Sequence, residues 1–235
     1  MRPAHVTALL LCAGRGERLG LDVPKAMAPL AGRPLFAWSL ETLARCGAIE
    51  QIVVVGRVPT LRELAAAAGL ASGKVAAWVE GGAERQHSVA RGLRALPEGC
   101  THVAVHDAAR ALVSVDVVER TVAEALAHGA AIAAVPLPDT LKRATLAVVT
   151  ETLPRPGLWL AQTPQVFRRD WLERAHREAA DTATDDAALV EALGHPVRVV
   201  EGDPRNFKIT TPAELALAEA WLTGRAAAEA ARPEG

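Results

Sequence analysis

The chain has 235 residues, of which 50% are hydrophobic and 23% charged, with a formal net charge of −1. That length supports a sizeable core, as one large domain or two small ones, and the near-neutral balance excludes bulk attraction to nucleic acid or a membrane surface, so an anion site must be local. No apolar run approaches the roughly 20 residues of a membrane span, and no signal peptide is expected at the amino terminus. Cys12, Cys46 and Cys100 are too scattered for a zinc cluster or disulfide framework, so a reducing, cytoplasmic setting is expected.

Val6–Leu11 is a nearly continuous apolar run, as in a strand buried on both faces. It enters the loop LCAGRGERLGLDVPK, which holds Gly14, Gly16, Arg18 and, after Pro24, Lys25. Glycines let backbone N–H groups close on phosphate oxygens, and Arg18 and Lys25 add full positive charge, so the loop reads as a polyphosphate cradle. The spacing of Gly14, Gly16 and Gly20 resembles a dinucleotide-binding turn. That turn needs a strand ending in Asp or Glu about 20 residues further on; here the next strand, Ile52–Val55, lies well beyond and is followed by Gly56. A P-loop is excluded by the missing Gly-Lys-Ser/Thr ending. The bland reading is a surface turn with solvated cations. Cys12 reads as a small structural residue rather than a nucleophile. Only four of the 26 Lys and Arg residues are lysines, namely Lys25, Lys74, Lys142 and Lys208. Where arginine is the default cation, a retained lysine points to a need for a compact charge.

Further along, Pro34–Cys46 reads as a helix with proline in its first turn and Gly47 beyond its end. Gln51–Val55 is a strand, Pro59–Ala68 a helix, Val75–Val79 a strand, and Glu84–Leu96 a helix with Val89, Leu93 and Leu96 on one stripe. His102–Val105 is a strand, Val115–His128 a helix capped by Ser114 and ended by Gly129, and Ala131–Val135 a strand. This alternation predicts an α/β fold with a mostly parallel sheet and helices on both faces, its ligands bound beyond the carboxyl ends of the strands. After Val135 the pattern breaks. Leu141–Arg143 and Leu146–Glu151, bounded by prolines, predict a projecting hairpin. Three shorter helices and one strand follow: Trp171–Ala180 behind an Asp170/Glu173 capping box, a helix opened by Thr184, Val197–Val200, and a last helix from Thr211-Pro212-Ala213-Glu214. The tail after Thr223 suggests no function.

Two further clusters follow strands, and a third precedes the capped last helix. Gly81-Gly82-Ala83-Glu84-Arg85 with Ser88 reads either as backbone contact to a nucleotide base or as a tight strand-to-helix turn. His106-Asp107-Ala108-Ala109-Arg110 is either a local ion pair or a ledge on which Asp107 accepts hydroxyl hydrogen bonds and Arg110 meets an anion. Asn206-Phe207-Lys208-Ile209-Thr210 frames a rare lysine. Asp139-Thr140-Leu141-Lys142 and Gln162-Thr163-Pro164-Gln165 read equally well as turn chemistry. Arg155, between two prolines, is rigidly presented.

In this order, GRGERLG…PK, GGAERQHSV, VHDAAR, PDTLKR, LWLAQTPQVF, TDDAALVE and NFKIT closely resemble the 2-C-methyl-D-erythritol 4-phosphate cytidylyltransferase family, over about Val6 to Trp221. The resemblance implies a single domain over residues 1–235 with a Rossmann-like nucleotidyltransferase fold: a twisted, mostly parallel sheet flanked by helices, with a protruding β-arm at approximately 136–158. It implies transfer of CMP from CTP to methylerythritol phosphate, with release of pyrophosphate, in the non-mevalonate route to isoprenoid precursors. Mg²⁺ would be carried mainly on the CTP phosphates, with no protein metal site, and the arm would form a homodimer.

Residue by residue, the resemblance assigns Arg18 and Lys25 to the α-phosphate. Lys208 and Arg155 would hold the attacking phosphate. Asp107, Arg110, Thr140, Thr163 and Thr184 would bind the methylerythritol portion. Leu11, Cys12, Ala13, Gly14, Gly16, Gly82, Ala83, Ser88, Asp107 and Ala108 would hold the nucleotide. Thr140 and Arg155 would reach the site of a neighbouring subunit. Ala26, Met27, Ala83 and Ala111 depart from the usual family residues, and Ala83 leaves the base to backbone contacts. A ribitol-type cytidylyltransferase is the nearest alternative. A nucleotide-binding regulator without catalysis and a dinucleotide-dependent oxidoreductase are the others.

Overall fold

The computed structural model of the chain describes residues 4–14, 16, 19–20, 24–70, 73–179 and 183–230. Strands and helices alternate through the first two thirds. In order they are β1 (Val6–Leu11), a small hairpin of β2 (Pro29–Leu30) and β3 (Arg33–Pro34), α1 (Leu35–Arg45), β4 (Gln51–Gly56), α2 (Val58–Ala67), β5 (Val75–Glu80), α3 (Arg85–Leu93), β6 (His102–Asp107), α4 (Val115–His128) and β7 (Ala130–Pro136). Then come β8 (Leu141–Thr145), β9 (Val148–Leu153), β10 (Trp159–Arg168), α5 (Arg169–Glu178), α6 (Asp186–Ala192), β11 (Arg198–Glu201) and α7 (Pro212–Ala230).

Seven strands form one sheet in the order β11-β7-β10-β6-β1-β4-β5. All neighbours are parallel except β10, which runs antiparallel to both β6 and β7. The two-residue alternation of the strands divides the core. Ala8, Leu10, Ile52, Val54 and Ala104 face α1, α2 and α4. Leu9, Leu11, Val53, Val55, Val103 and Val105 face α3, α5 and α6. Each fully buried leucine or valine of these layers stabilises the fold by about 1.5–3 kcal/mol, which makes the sheet a stiff platform for the loops at its edge. A third cluster, including Leu30, Leu35, Ala109, Ala111 and Ile209, seats α7 beside the segment that follows β6.

Two sequence expectations are corrected here. Gln162-Thr163-Pro164-Gln165 is no turn but part of β10, a ten-residue strand. Proline and polar side chains hid it. The ladder between β10 and β7 is interrupted between Ala161 and Gln165, so Pro164 sits where no N–H is needed. Gln162, Thr163 and Gln165 are buried and satisfied by partners described below. The second correction concerns helix starts. Asp170 and Glu173 bond the Arg168 and Arg169 side chains rather than forming a capping box. Asp185, not Thr184, caps α6, accepting from the Ala188 N–H. The last helix is also long, at 19 residues.

The arm is an extension of the β7–β10 connection. The chain leaves the sheet at Pro136 and returns beside it at Trp159. Between them β8 and β9 pair antiparallel, turning at Leu146 and Ala147, whose φ angles of 49° and 62° are both left-handed, the geometry that tight hairpins require. Every residue of β8 and β9 is exposed except Leu153.

Candidate active site

β1 pairs with β4 on one side and β6 on the other: the chain runs outward from β1 through β4 to β5 and then crosses back to β6, reversing the strand order beside β1. Such a switch opens a crevice in α/β sheets. Here the crevice is an open cleft of about 200 Å³. Its walls come from the loop after β1 (Leu11 to Gly14, Lys25 and Ala26), the turn after β5 (Gly82 to Arg85 and Ser88), the end of β6 (Asp107 and Ala109) and, from beyond β11, Lys208.

The first wall is a closed loop. The Cys12 N–H donates to the Val55 carbonyl at 2.7 Å, and the Lys25 N–H to the Gly14 carbonyl at 3.2 Å, which brings the lysine back over the strand end. Gly16 has a φ of +80°, and a Cβ there would lie 2.8 Å from the Lys25 nitrogen. The glycine is therefore a requirement of the closure. Cys12 is buried, and burial pushes its thiol far above the ordinary range, which removes any thiolate chemistry at neutral pH. Arg18 lies outside the described residues.

In the second wall, a Cβ on Gly81 would collide with the Ala13 methyl, and one on Gly82 with His87. The two loops are thus in backbone-close contact. The Gly82 N–H donates to Ser88 Oγ at 3.0 Å, and the same hydroxyl donates to the Glu84 carbonyl at 3.1 Å. Ser88 therefore lies within α3, not at its cap, and ties the turn to the helix.

Asp107 closes the cleft floor. Its carboxylate meets Lys208 Nζ at 2.7 Å and Arg85 Nε at 3.1 Å. Burial works to raise its pKa, but Arg85 and Lys208, with a smaller contribution from Arg110, hold it well below the usual carboxylate range. Asp107 is therefore an anion at any working pH. The Asp107 N–H donates to Thr163 Oγ1 at 3.1 Å, and the same oxygen lies 3.0 Å from His106 Nδ1. His106 is fully buried, and burial, aided by Arg110, pushes its pKa down to about 4, so it is neutral. Asp107 and Arg110 do not form the direct local pair considered from sequence. Arg110 instead donates to the carbonyls of Asn206 (2.7 Å) and Ala161 (3.1 Å). Asn206 Nδ2 in turn donates to the Thr163 carbonyl at 2.8 Å and to Gln162 Oε1 at 3.1 Å. This network anchors the segment carrying Lys208 to β10.

The structure thus gathers Leu11, Cys12, Ala13, Gly14, Lys25, Gly82, Ala83, Ser88, Asp107 and Lys208 around one cleft. Gly16 shapes the loop, Ala108 is buried behind it with its N–H on the Leu11 carbonyl, and Thr163 and Arg110 support it from below. Thr184 is exposed just ahead of α6. Thr140 and Arg155 lie at the root of the arm, away from the cleft walls. Arg155 Nη1 donates to the Pro138 carbonyl. Sequence reasoning gave no electrostatic role to Arg85 and none at all to Asp186 or Gln165. The signal for Asp186 was the doubled aspartate of TDDAALVE, one residue capping α6 and the other facing inward.

A glycine-lined cleft with two lysines at the switch point of such a sheet fits the class of the nucleotidyltransferases. The profile of the family described as IspD, 2-C-methyl-D-erythritol 4-phosphate cytidylyltransferase, matches residues 6–224. Relatives of that name from Prochlorococcus marinus (strain MIT 9313) and Gloeobacter violaceus are 42% and 45% identical, covering 93% and 91% of this chain and 98% and 94% of their own. The structure of 2-C-methyl-D-erythritol 4-phosphate cytidylyltransferase from Thermus thermophilus superposes with a TM-score of 0.75 at 37% identity, covering 92% of this chain and 98% of that one. A 4-diphosphocytidyl-2C-methyl-D-erythritol synthase from Anaerococcus prevotii gives 0.82 at 26% identity, covering 94% and 96%. The chain belongs to the 2-C-methyl-D-erythritol 4-phosphate cytidylyltransferase family.

Proposed function

We propose that the cleft between β1, β5 and β6 is where this chain carries out its family's reaction, the transfer of CMP from CTP to 2-C-methyl-D-erythritol 4-phosphate. The observation that carries the assignment is the meeting of Lys25 and Lys208 with the glycine loop and Asp107 in one cleft. An oxygen of the acceptor's phosphate attacks the α-phosphorus of CTP. A new P–O bond forms, the bond to the β-phosphate oxygen breaks, and pyrophosphate leaves with its electrons. The attacking oxygen is already anionic, so no general base is needed. The barrier lies in bringing two anions together in line.

Lys25 and Arg18 neutralise charge on the α-phosphate. The backbone of Leu11 to Gly14, of Gly82 and Ala83, and Ser88 seat the nucleoside. Lys208 turns from Asp107 to the acceptor's phosphate, and Asp107, with Thr163 and Arg110 behind it, receives the acceptor's hydroxyls. Magnesium would arrive on the triphosphate and keep most of its waters. When bound, it lowers the charge of the phosphates.

Thr140, Arg155 and Thr184 complete the acceptor's site, the first two from a second copy of the chain joined through the arm. Among the described residues no helix is long and apolar enough to cross a membrane. Cys12, Cys46 and Cys100 are free thiols, the state a reducing cytoplasm would maintain. The test is pyrophosphate release across a panel of nucleotides and acceptors. CTP with methylerythritol phosphate is expected to be far the fastest pair; a preference for a pentitol phosphate would move the chain to the ribitol-type reaction.

A further inference from the structure

The ion pairs at the cleft floor continue past it. Arg85 Nη1 donates to Asp186 Oδ2 at 2.7 Å, and Asp186 Oδ1 lies 2.8 Å from His176 Nε2. The side chains of Asp186 and His176 are 1% and 4% exposed. Charge therefore alternates along Lys208, Asp107, Arg85 and Asp186, supplied by the segment after β11, the end of β6, and the first residues of α3 and α6. The start of α6 is itself pinned to β10: Gln165 Nε2 donates to Asp185 Oδ2 at 2.8 Å, and Gln165 Oε1 accepts from the Ala187 N–H at 3.3 Å.

A buried pair of this kind gives little net stability over apolar packing of the same volume, so its value must be looked for in geometry. Arginine has a long rotatable stem. Held at Nε by one carboxylate and at Nη1 by another, its guanidinium has a fixed plane and a fixed reach. When Lys208 turns to a substrate phosphate, Arg85 remains as the ionic contact of Asp107.

We infer that Asp186, backed by His176, is a positioning residue for the transfer reaction, clamping Arg85 so that Asp107 stays fixed for the acceptor's hydroxyls while Lys208 moves to the acceptor's phosphate. This rests on the roles given to Asp107 and Lys208 above. The test uses the full chain, with KM measured for both substrates. Asp186→Asn is expected to raise the KM for methylerythritol phosphate about tenfold while leaving that for CTP within about twofold. His176→Leu, which fills the space without an N–H, is expected to raise the acceptor KM about fivefold, and His176→Gln, which keeps a side-chain N–H, to restore most of it. In an Asp107→Asn background, Asp186→Asn is expected to add nothing, because both act along one path.

A wild-type acceptor KM in both Asp186→Asn and His176→Leu, with Asp107→Asn impaired, overturns the inference alone. So does an equal rise in both KM values, or an Asp186→Asn effect that multiplies with Asp107→Asn, either of which means a general structural role. Should Asp186→Asn fail to fold, the His176→Leu and His176→Gln pair decides by the same criteria. An unimpaired acceptor KM in Asp107→Asn overturns the reading of the site itself, and this inference with it.

Discussion

Asp107 is held by two cations that differ in kind. Arg85 is clamped from behind, whereas Lys208 ends a side chain 41% exposed and is free to exchange one anion for another. Replacing Lys25 or Lys208 by alanine removes a charge that the proposed reaction brings to a phosphate and is expected to lower the rate of pyrophosphate release about 10²–10³-fold, by analogy with other preorganised donors. His106, directly behind Asp107, sets a different prediction. Its folded pKa of about 4 lies below the ordinary 6.5, so between those values the unfolded chain binds a proton that the folded chain does not. Stability from this group is present above pH 6.5 and is lost as pH falls towards 4, by about 3 kcal/mol in all. Urea unfolding of wild type and His106→Gln at pH 7, 5.5 and 4 checks it: the variant's decline is expected to be shallower by about that amount. Equal slopes would show that His106 does not stay neutral in the fold. The sequence set His106 in a polar cluster just past the strand; its complete burial was not legible there, because burial on both faces is a property of the whole sheet.

At the scale of elements, the turn after β5 matters most. Gly81 lets it approach the loop after β1 so closely that a methyl group would strike Ala13. Gly81→Ala is expected to destabilise the fold by about 1–3 kcal/mol and to raise the KM for CTP more than that for the acceptor, because the displaced backbone is the part assigned to the nucleoside. Thermal melts and two-substrate kinetics read both effects. The doubled glycine was visible in the sequence; the close approach behind it was not, since Ala13 is remote in the chain. The parallel half of the sheet was legible because Val6–Leu11, Gln51–Val55, Val75–Val79 and His102–Val105 carry the apolar runs of strands buried by helices. β10 was not, because a strand that accepts a proline at a ladder irregularity and buries two glutamines imitates a turn. The charged residues of the site were legible singly, as rare lysines and motif carboxylates. Their pairing was not, because Arg85, Asp107 and Asp186 meet only when three separate connections close over the sheet edge.

At the scale of the molecule, the arm is the feature a single chain leaves unexplained. Leu146, Val148 and Val149 on it are 94%, 66% and 57% exposed, and Trp159 and Leu160 at its root 43% and 46%. Apolar side chains gathered on a projecting hairpin favour association. Thr140 and Arg155 lie at that root, and the proposed function draws both from a second copy. Val148→Asp with Val149→Asp is expected to give a monomer in sedimentation and to lose activity with the fold intact; an active monomer would show that each chain has a complete site. The central claim, that Lys208 receives the acceptor's phosphate in the cleft where Lys25 meets CTP, is tested most directly by comparing CTP binding with turnover in Lys208→Ala. The predicted result is CTP binding within about twofold of wild type and pyrophosphate release lowered about 10²–10³-fold. Wild-type turnover, or loss of CTP binding with an unchanged acceptor KM, would contradict it.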